Sequence, residues 1–271
     1  MKSIALGLVA LAAGLTPARA NPRALPFTYT TDTLPAGHAE LEQFTDLVPL
    51  KAGGDLSTGK EDQWYLPMAF TQELEIGLTD RLELGLYLIL VPGVADHYTG
   101  TARFPGAASG LAQRLRYILA EPGAWPVDVG LYGEVTENQD EVELEAKLLV
   151  QRRFDRLRLA VNLSAEYELY FSHQRELVVN PSLGVTYEVT PKLHLGVEGF
   201  ARGEYPQNPR PATRTFGLGP QAYLGPAVMT SFGRVWWSVG AYVRITDVSH
   251  TLQPAEPYGP VYVRSMLGID L

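Results

Sequence analysis

The sequence predicts a closed antiparallel transmembrane β-barrel of about 12 strands, with short turns at one end and longer loops at the other. Three observations carry the prediction: apolar residues recur with a period of two, connections alternate between short and long, and the chain opens on a segment built like an export leader.

The period of two is clearest over residues 64–78. There Trp64, Leu66, Met68, Phe70, Leu74, Ile76 and Leu78 share one face, and Gln63, Tyr65, Thr71, Glu73, Glu75 and Gly77 share the other. Successive strand side chains point to opposite faces, whereas a helix would repeat every 3.6 residues. Gln72 is the one polar residue on the apolar face. After Thr79-Asp80 the pattern resumes, with Leu82, Leu84, Leu86, Leu88 and Leu90 alternating with Arg81, Glu83, Gly85, Tyr87 and Ile89.

The same hairpin unit recurs. Residues 111–119 and 125–135 flank Glu121-Pro122-Gly123, residues 142–150 and 157–171 flank Phe154-Asp155-Arg156, residues 183–189 and 193–201 flank Thr190-Pro191-Lys192, and residues 216–230 and 235–245 flank Ser231-Phe232-Gly233-Arg234. A first strand over 39–48 and a last over 261–271 complete an even count. Between hairpins lie more polar connections at 49–62, 92–107, 204–215 and 247–259, with shorter ones near 137–141 and 172–176. In an outer-membrane barrel the short turns and both termini face the periplasm and the long loops face outward.

Lys2, the apolar run Ile4 to Leu15 and Ala18-Arg19-Ala20 have the layout of a cleaved secretory signal. The run is too short to cross a bilayer as a helix. The expected organisation is a signal peptide over 1–20, a periplasmic N-terminal segment over 21–37 and an outer-membrane barrel over 38–271, located in a Gram-negative outer membrane. Removal of the leader takes Lys2 and Arg19 and leaves 30 acidic residues dominant. So acidic a chain argues against nucleic acid as a partner. Cysteine is absent, which excludes disulfides, thiolate metal sites and thiol nucleophiles.

A soluble sheet would turn the apolar face inward. The membrane reading is favoured because the apolar faces are nearly unbroken where edge strands of a soluble sheet usually carry charge, because the polar faces mix Gly and Ser with Glu and Arg as a crowded or watery lumen would, and because Trp64, Trp125, Tyr170, Trp236 and Trp237 sit near strand ends like an interfacial belt. In hydrocarbon an unpaired backbone amide is costly, so the sheet must close, and Val261, Val263, Leu267, Ile269 and Leu271 continue the alternation to the last residue.

The segments Thr33-Leu34-Pro35-Ala36-Gly37, Glu75-Ile76-Gly77-Leu78-Thr79-Asp80-Arg81-Leu82-Glu83-Leu84-Gly85, Leu224-Gly225-Pro226-Ala227-Val228 and Arg264-Ser265-Met266-Leu267-Gly268-Ile269-Asp270-Leu271 resemble the outer-membrane barrels named for the meta-pathway of phenol degradation, a porin-like group. The resemblance implies passage of aromatic or other small hydrophobic compounds. Such barrels often end in Phe. This chain ends in Leu271, which is still apolar and on the lipid-facing register.

The functional lead is charge on the inward register: Glu73, Glu75, Arg81, Glu83, Arg114, Arg116, Glu134, Glu141, Glu143, Glu145, Lys147, Arg158, Glu166, Glu168, Glu188, Glu198, Arg202, Arg244 and Arg264. Opposed acidic and basic walls would impose a transverse field on a pore. The same charges would equally serve as an ion-pair network that fills the interior. The expected function is passive passage of small molecules, and the alternative is a plugged structural or surface-interaction barrel. Expected partners are outer-membrane lipid, the barrel-insertion machinery and a small-molecule solute that the lumen could admit.

No catalytic, cofactor or metal residues are assigned. His38, His97, His173, His194 and His250 lack a Ser in a recognisable nucleophile motif, so an enzyme is not expected. Glu141, Glu143 and Glu145 share one strand face, where like charges more often line a lumen than hold an ion. Gly217-Leu218-Gly219-Pro220 lacks the lysine and the strand-to-helix setting of a phosphate loop.

Overall fold

The computed structural model describes residues 21–52, 63–66, 68–91, 94–96, 100–102, 109–207, 221–246 and 260–271. The leader over 1–20, most of the four long loops, His97, His250 and Gly217 to Pro220 lie outside the described residues, as does the Trp64 side chain.

Alternation is expressed as strands: β1 (Ala39–Leu47), β2 (Leu50–Ala52), β3 (Gln63–Tyr65), β4 (Met68–Thr79), β5 (Leu82–Leu90), β6 (Val94–Asp96), β7 (Gly100–Ala102), β8 (Gly110–Ile118), β9 (Asp128–Asn138), β10 (Glu141–Phe154), β11 (Leu157–Tyr170), β12 (Arg175–Val179), β13 (Ser182–Thr190), β14 (Leu193–Pro206), β15 (Gln221–Phe232), β16 (Val235–Arg244) and β17 (Val261–Asp270). Pairs β2–β3 and β6–β7 are short ribbons in the connections. The other strands form one antiparallel sheet that closes, because β1 pairs with both β4 and β17, so no edge is left to seek a partner.

The sheet has 13 strands for 12 positions in the wall. β12 and β13 occupy one position between β11 and β14: β12 pairs with the loop-side halves of its neighbours and β13 with their turn-side halves. The break falls at Asn180-Pro181, where proline has no amide to donate to a ladder. The even count expected from sequence holds in this sense. The strand expected from 125 begins at Asp128, because Pro126 and the bend before it interrupt pairing.

Outside, the barrel is apolar. Leu111, Leu131, Leu163, Leu183, Val197, Val243 and Leu271 are among the exposed hydrophobics, whereas Glu40, Glu73, Glu83, Arg114 and Glu198 on the alternate face are fully buried. A barrel that meets lipid inverts the soluble pattern in this way. Two aromatics expected in an interfacial belt point inward: Trp236 is fully buried and donates its indole N–H to Glu40, and the Tyr170 hydroxyl donates to Glu168. Each has the parity of inward neighbours, Ser238 and Glu166 respectively. Trp125 and Trp237 are exposed.

Residues 21–37 were expected as a periplasmic extension, but most of this stretch lies inside the barrel. It enters at the short-turn end, where the Asn21 amide donates to Glu40, and rises to an apex at Phe27 to Tyr29. It then returns to the same end, where the Ala36 amide donates to Asp80. Its apolar side chains explain the placement: Ala24, Leu25, Tyr29 and Leu34 are buried there instead of meeting water.

Candidate functional site

The luminal segment has no strand or helix to satisfy its amides, so the wall does so with side chains. Glu198 accepts from the amides of Phe27 and Thr28 and from the Tyr242 hydroxyl. Asn162 accepts from the Tyr29 amide at 2.7 Å and donates to the Tyr29 carbonyl at 2.9 Å. Gln151 accepts from the Thr31 amide, and Glu83 accepts from the Leu34 amide at 2.8 Å. Asp32 pairs with Arg153 and Arg158 at the short-turn rim. The segment is therefore held by contacts from many strands while belonging to none.

Apolar contacts complete the seat. Leu25 packs with Ala160 and Ala227, and a Cβ at Gly184 would lie 2.6 Å from its side chain, so the missing side chain makes the recess. Phe27 stacks on Phe200 with ring centroids 4.0 Å apart and meets Tyr242 and Tyr262 edge-on. Arg264 lies 4.1 Å above the Phe27 ring and is fixed by both oxygens of Asp46, at 2.7 and 2.8 Å.

Opposite this aromatic wall, β4, β5 and β8 carry a buried ionic network. The Arg114 guanidinium pairs with Glu73, Glu75 and Glu83, and Arg116 pairs with Glu83 at 2.6 Å. Arg114 reaches Glu73 across Gly85, where a Cβ would lie 2.6 Å from Arg114 Nε. From the luminal segment Arg23 adds a pair to Glu42 at 3.3 Å and lies 3.9 Å from the Tyr29 ring. Charges removed from water need such partners, because each alone would be prohibitively costly. Glu42, Glu73 and Glu75 lie close enough together to suggest a cation site, but the three guanidiniums already face them.

The loop-side half is different. Glu134, Glu145 and Glu166 are direct lateral neighbours across β9, β10 and β11, and Glu143 and Glu168 form the next row outward. Lys147 pairs with Glu145 at 2.7 Å. Arg202 pairs with Glu166 and Glu168 at 2.9 Å each and with Glu204 at 3.3 Å. Among the described residues Glu134 and Glu143 have no basic partner within salt-bridge distance. Between this acidic wall and the segment's apex lies a cavity of about 260 Å³. Phe27 and Tyr29 form its floor, and Tyr87, Tyr132, Phe44 and Phe200 line its sides.

The chain belongs to DUF6662, a family of unknown function whose model matches residues 17–246. No curated protein matches its sequence. Among solved structures, the NanC porin superposes with a TM-score of 0.57 at 8% identity, covering 85% of this chain and 100% of that one. The COG4313 outer membrane channel from Pseudomonas putida F1 superposes with a TM-score of 0.54 at 14% identity, covering 89% and 98%. At such identities the likeness concerns the fold. The sequence motifs had pointed to the meta-pathway barrels. What that reading shares with these structures is the closed β-barrel fold.

Of the inward charges expected from sequence, all but Arg81 lie on the inward register of a strand. Arg81 is in the β4–β5 turn, its side chain 3.7 Å from Glu121 and over the outward-facing Tyr117. Arg81 shares the parity of Glu83, but β5 begins only at Leu82, so the turn and not the pleat sets the direction of its side chain. Opposed acidic and basic walls do not form either. On the turn side Glu and Arg interleave within β4, β5 and β8, and the wall facing them is aromatic. Glu40, Glu42 and Asp46 were overlooked although β1 alternates them with Leu41, Gln43 and Leu47. Arg23 and Asp32 carried no periodic signal, since they lie in a segment without regular structure.

Proposed function

We propose that this DUF6662 protein is an outer-membrane, porin-like barrel that passes small molecules and is held shut by its own residues 21–37. The supporting observation is how that segment is held. It enters and leaves at one end, is bonded by wall side chains and takes no place in the sheet, so it can withdraw without breaking a ladder. On this reading the short-turn end is periplasmic, the leader is cleaved during export, the apolar exterior meets outer-membrane lipid, and the barrel-insertion machinery reads the last strand. The reading assigns no catalytic step.

Aromatic or hydrophobic solutes, the substrate class implied by the meta-pathway resemblance, are supported by the rings around the cavity. The static alternative is favoured by one observation, the density of ion pairs at the base of the segment. Planar-bilayer recording separates the two. The full-length mature chain should show rare or small conductance steps, and a chain exported with its leader but lacking 21–37 should show frequent, larger ones. Silence from both, with the folded barrel verified by its heat-dependent gel shift, sinks the transport reading.

A further inference from the structure

Three carboxylates, Glu134, Glu145 and Glu166, and three bases, Lys147, Arg202 and Arg264, line the loop-side cavity. Its basic side chains are committed: Lys147 to Glu145, Arg202 to Glu166, Glu168 and Glu204, and Arg264 to Asp46. Glu134 receives only hydroxyl donors, from Tyr132 and Thr136. Asn180 donates to Glu166 and Glu145, while its own Oδ1 is buried without a partner. Ser164 lines the cavity, is only 6% exposed, and makes no side-chain hydrogen bond to a described residue. Register places these groups together, because Glu145 sits opposite both Glu134 and Glu166, and Ser164 is opposite Lys147 one pleat below.

Like charges directly opposite on neighbouring strands are destabilising, and here three stand in a row. The turn-side half of the same barrel interleaves arginine with its glutamates. Among the described residues of the loop-side wall, Glu134 and Glu143 have no base within salt-bridge distance, because Lys147 and Arg202 are paired with their neighbours, so a further positive charge is what these two carboxylates can take. The approach from the loop end passes Glu141, Glu143 and Glu168, which would concentrate cations at the mouth. Beside the acidic row, Tyr87, Tyr132, Phe44 and Phe200 supply ring faces and edges. Tyrosine faces attract cations as well as apolar groups.

We infer that the cavity is a binding site for small organic cations that carry a primary ammonium and an aromatic or apolar body. The ammonium donates to Glu134, to the Asn180 carbonyl oxygen and to the Ser164 hydroxyl, and the body packs among the rings above Phe27 and Tyr29. The proposal deepens the transport reading by naming a solute class, but it concerns occupancy of the cavity and stands whether or not the solute crosses.

The test is equilibrium binding to the purified full-length barrel in detergent, with three probes that share a 2-phenylethyl body: 2-phenylethylammonium, its isostere 2-phenylethanol, and 3-phenylpropanoate. The ammonium should bind at least about tenfold more tightly than the alcohol, as a charge-assisted hydrogen bond in a desolvated site provides, and the carboxylate should not bind measurably. Glu134→Gln should weaken ammonium binding by about tenfold and leave the affinity for the alcohol unchanged. Should that variant fail to fold, Ser164→Ala serves instead and should weaken the ammonium selectively by a few-fold. Equal affinity for the three probes, preference for the carboxylate, or variants that bind the ammonium as the parent does would each overturn the inference. Bilayer silence together with selective ammonium binding would sink transport and leave the cation site standing.

Discussion

The two halves of the lumen solve the same problem in opposite ways. At the turn side, glutamates from β1, β4 and β5 meet Arg23, Arg114 and Arg116, and the space left over is filled by the chain's own N-terminal segment. At the loop side, β9, β10 and β11 bring glutamates side by side, supply Lys147 and Arg202 for only some of them, and leave a cavity. Both halves use strand parity to turn charge inward. The difference shows that inward charge by itself specifies neither a pore nor a filled cylinder; what decides is whether each charge finds its counter-charge within reach.

The sharpest way to break the comparison is to remove the hub of the satisfied half. Arg114→Ala leaves Glu73, Glu75 and Glu83 buried, with only Arg116 and Arg23 to offset them. Breaking a buried pair in this way costs about 3–5 kcal/mol. Denaturant titration of the folded barrel in micelles should show a loss of that size, together with faster proteolysis of residues 21–37. A loss no larger than that of a surface substitution would mean that water already reaches these carboxylates.

An intermediate effect is expected where the segment is tied to the wall. Glu198→Ala removes the acceptor shared by the Phe27 and Thr28 amides and the Tyr242 hydroxyl. Hydrogen bonds to a charged acceptor are worth about 1.5–3 kcal/mol, so amide exchange should accelerate at Phe27 and Thr28 and spread through the segment. Exchange elsewhere in the barrel should be unchanged, since the sheet ladders do not involve these amides. Acceleration distributed evenly over the barrel would instead identify the segment as part of the cooperative core.

Much of this contrast was legible in the sequence, and the failures have identifiable causes. Parity alone places Glu73, Glu75, Arg114, Arg116, Glu134, Glu145 and Glu166 inside, because a strand's period of two admits no intermediate orientation. Arg81 was lost to a turn, because it precedes the first residue of β5. Trp236 and Tyr170 were assigned to a lipid belt by residue type although their parity pointed inward, so the periodic signal outranks the compositional one here. The occupied lumen was not legible, because residues 21–37 have no period and are defined by a surface assembled from strands distant in sequence. Phe27 finds Glu198, and Asp32 finds Arg158, only after the sheet closes.

The smallest expected effect lies in the unsatisfied half and has the opposite sign. Glu143 sits opposite Glu168, next to a Glu134–Glu145–Glu166 row, and no described base lies within salt-bridge distance of it. Converting it to Gln removes repulsion and no ion pair, so Glu143→Gln should leave stability unchanged or raise it by less than about 1 kcal/mol. Added salt screens the same repulsion. The parent barrel should therefore gain stability as ionic strength rises, and the variant should gain less. That salt response separates the two halves more cleanly than a stability value does, because at the turn side the charges are buried in pairs and screening by mobile ions has little to act on. A destabilising Glu143→Gln, with no difference in salt response, would reveal a counter-charge on the loop side and erase the asymmetry on which the cation site depends.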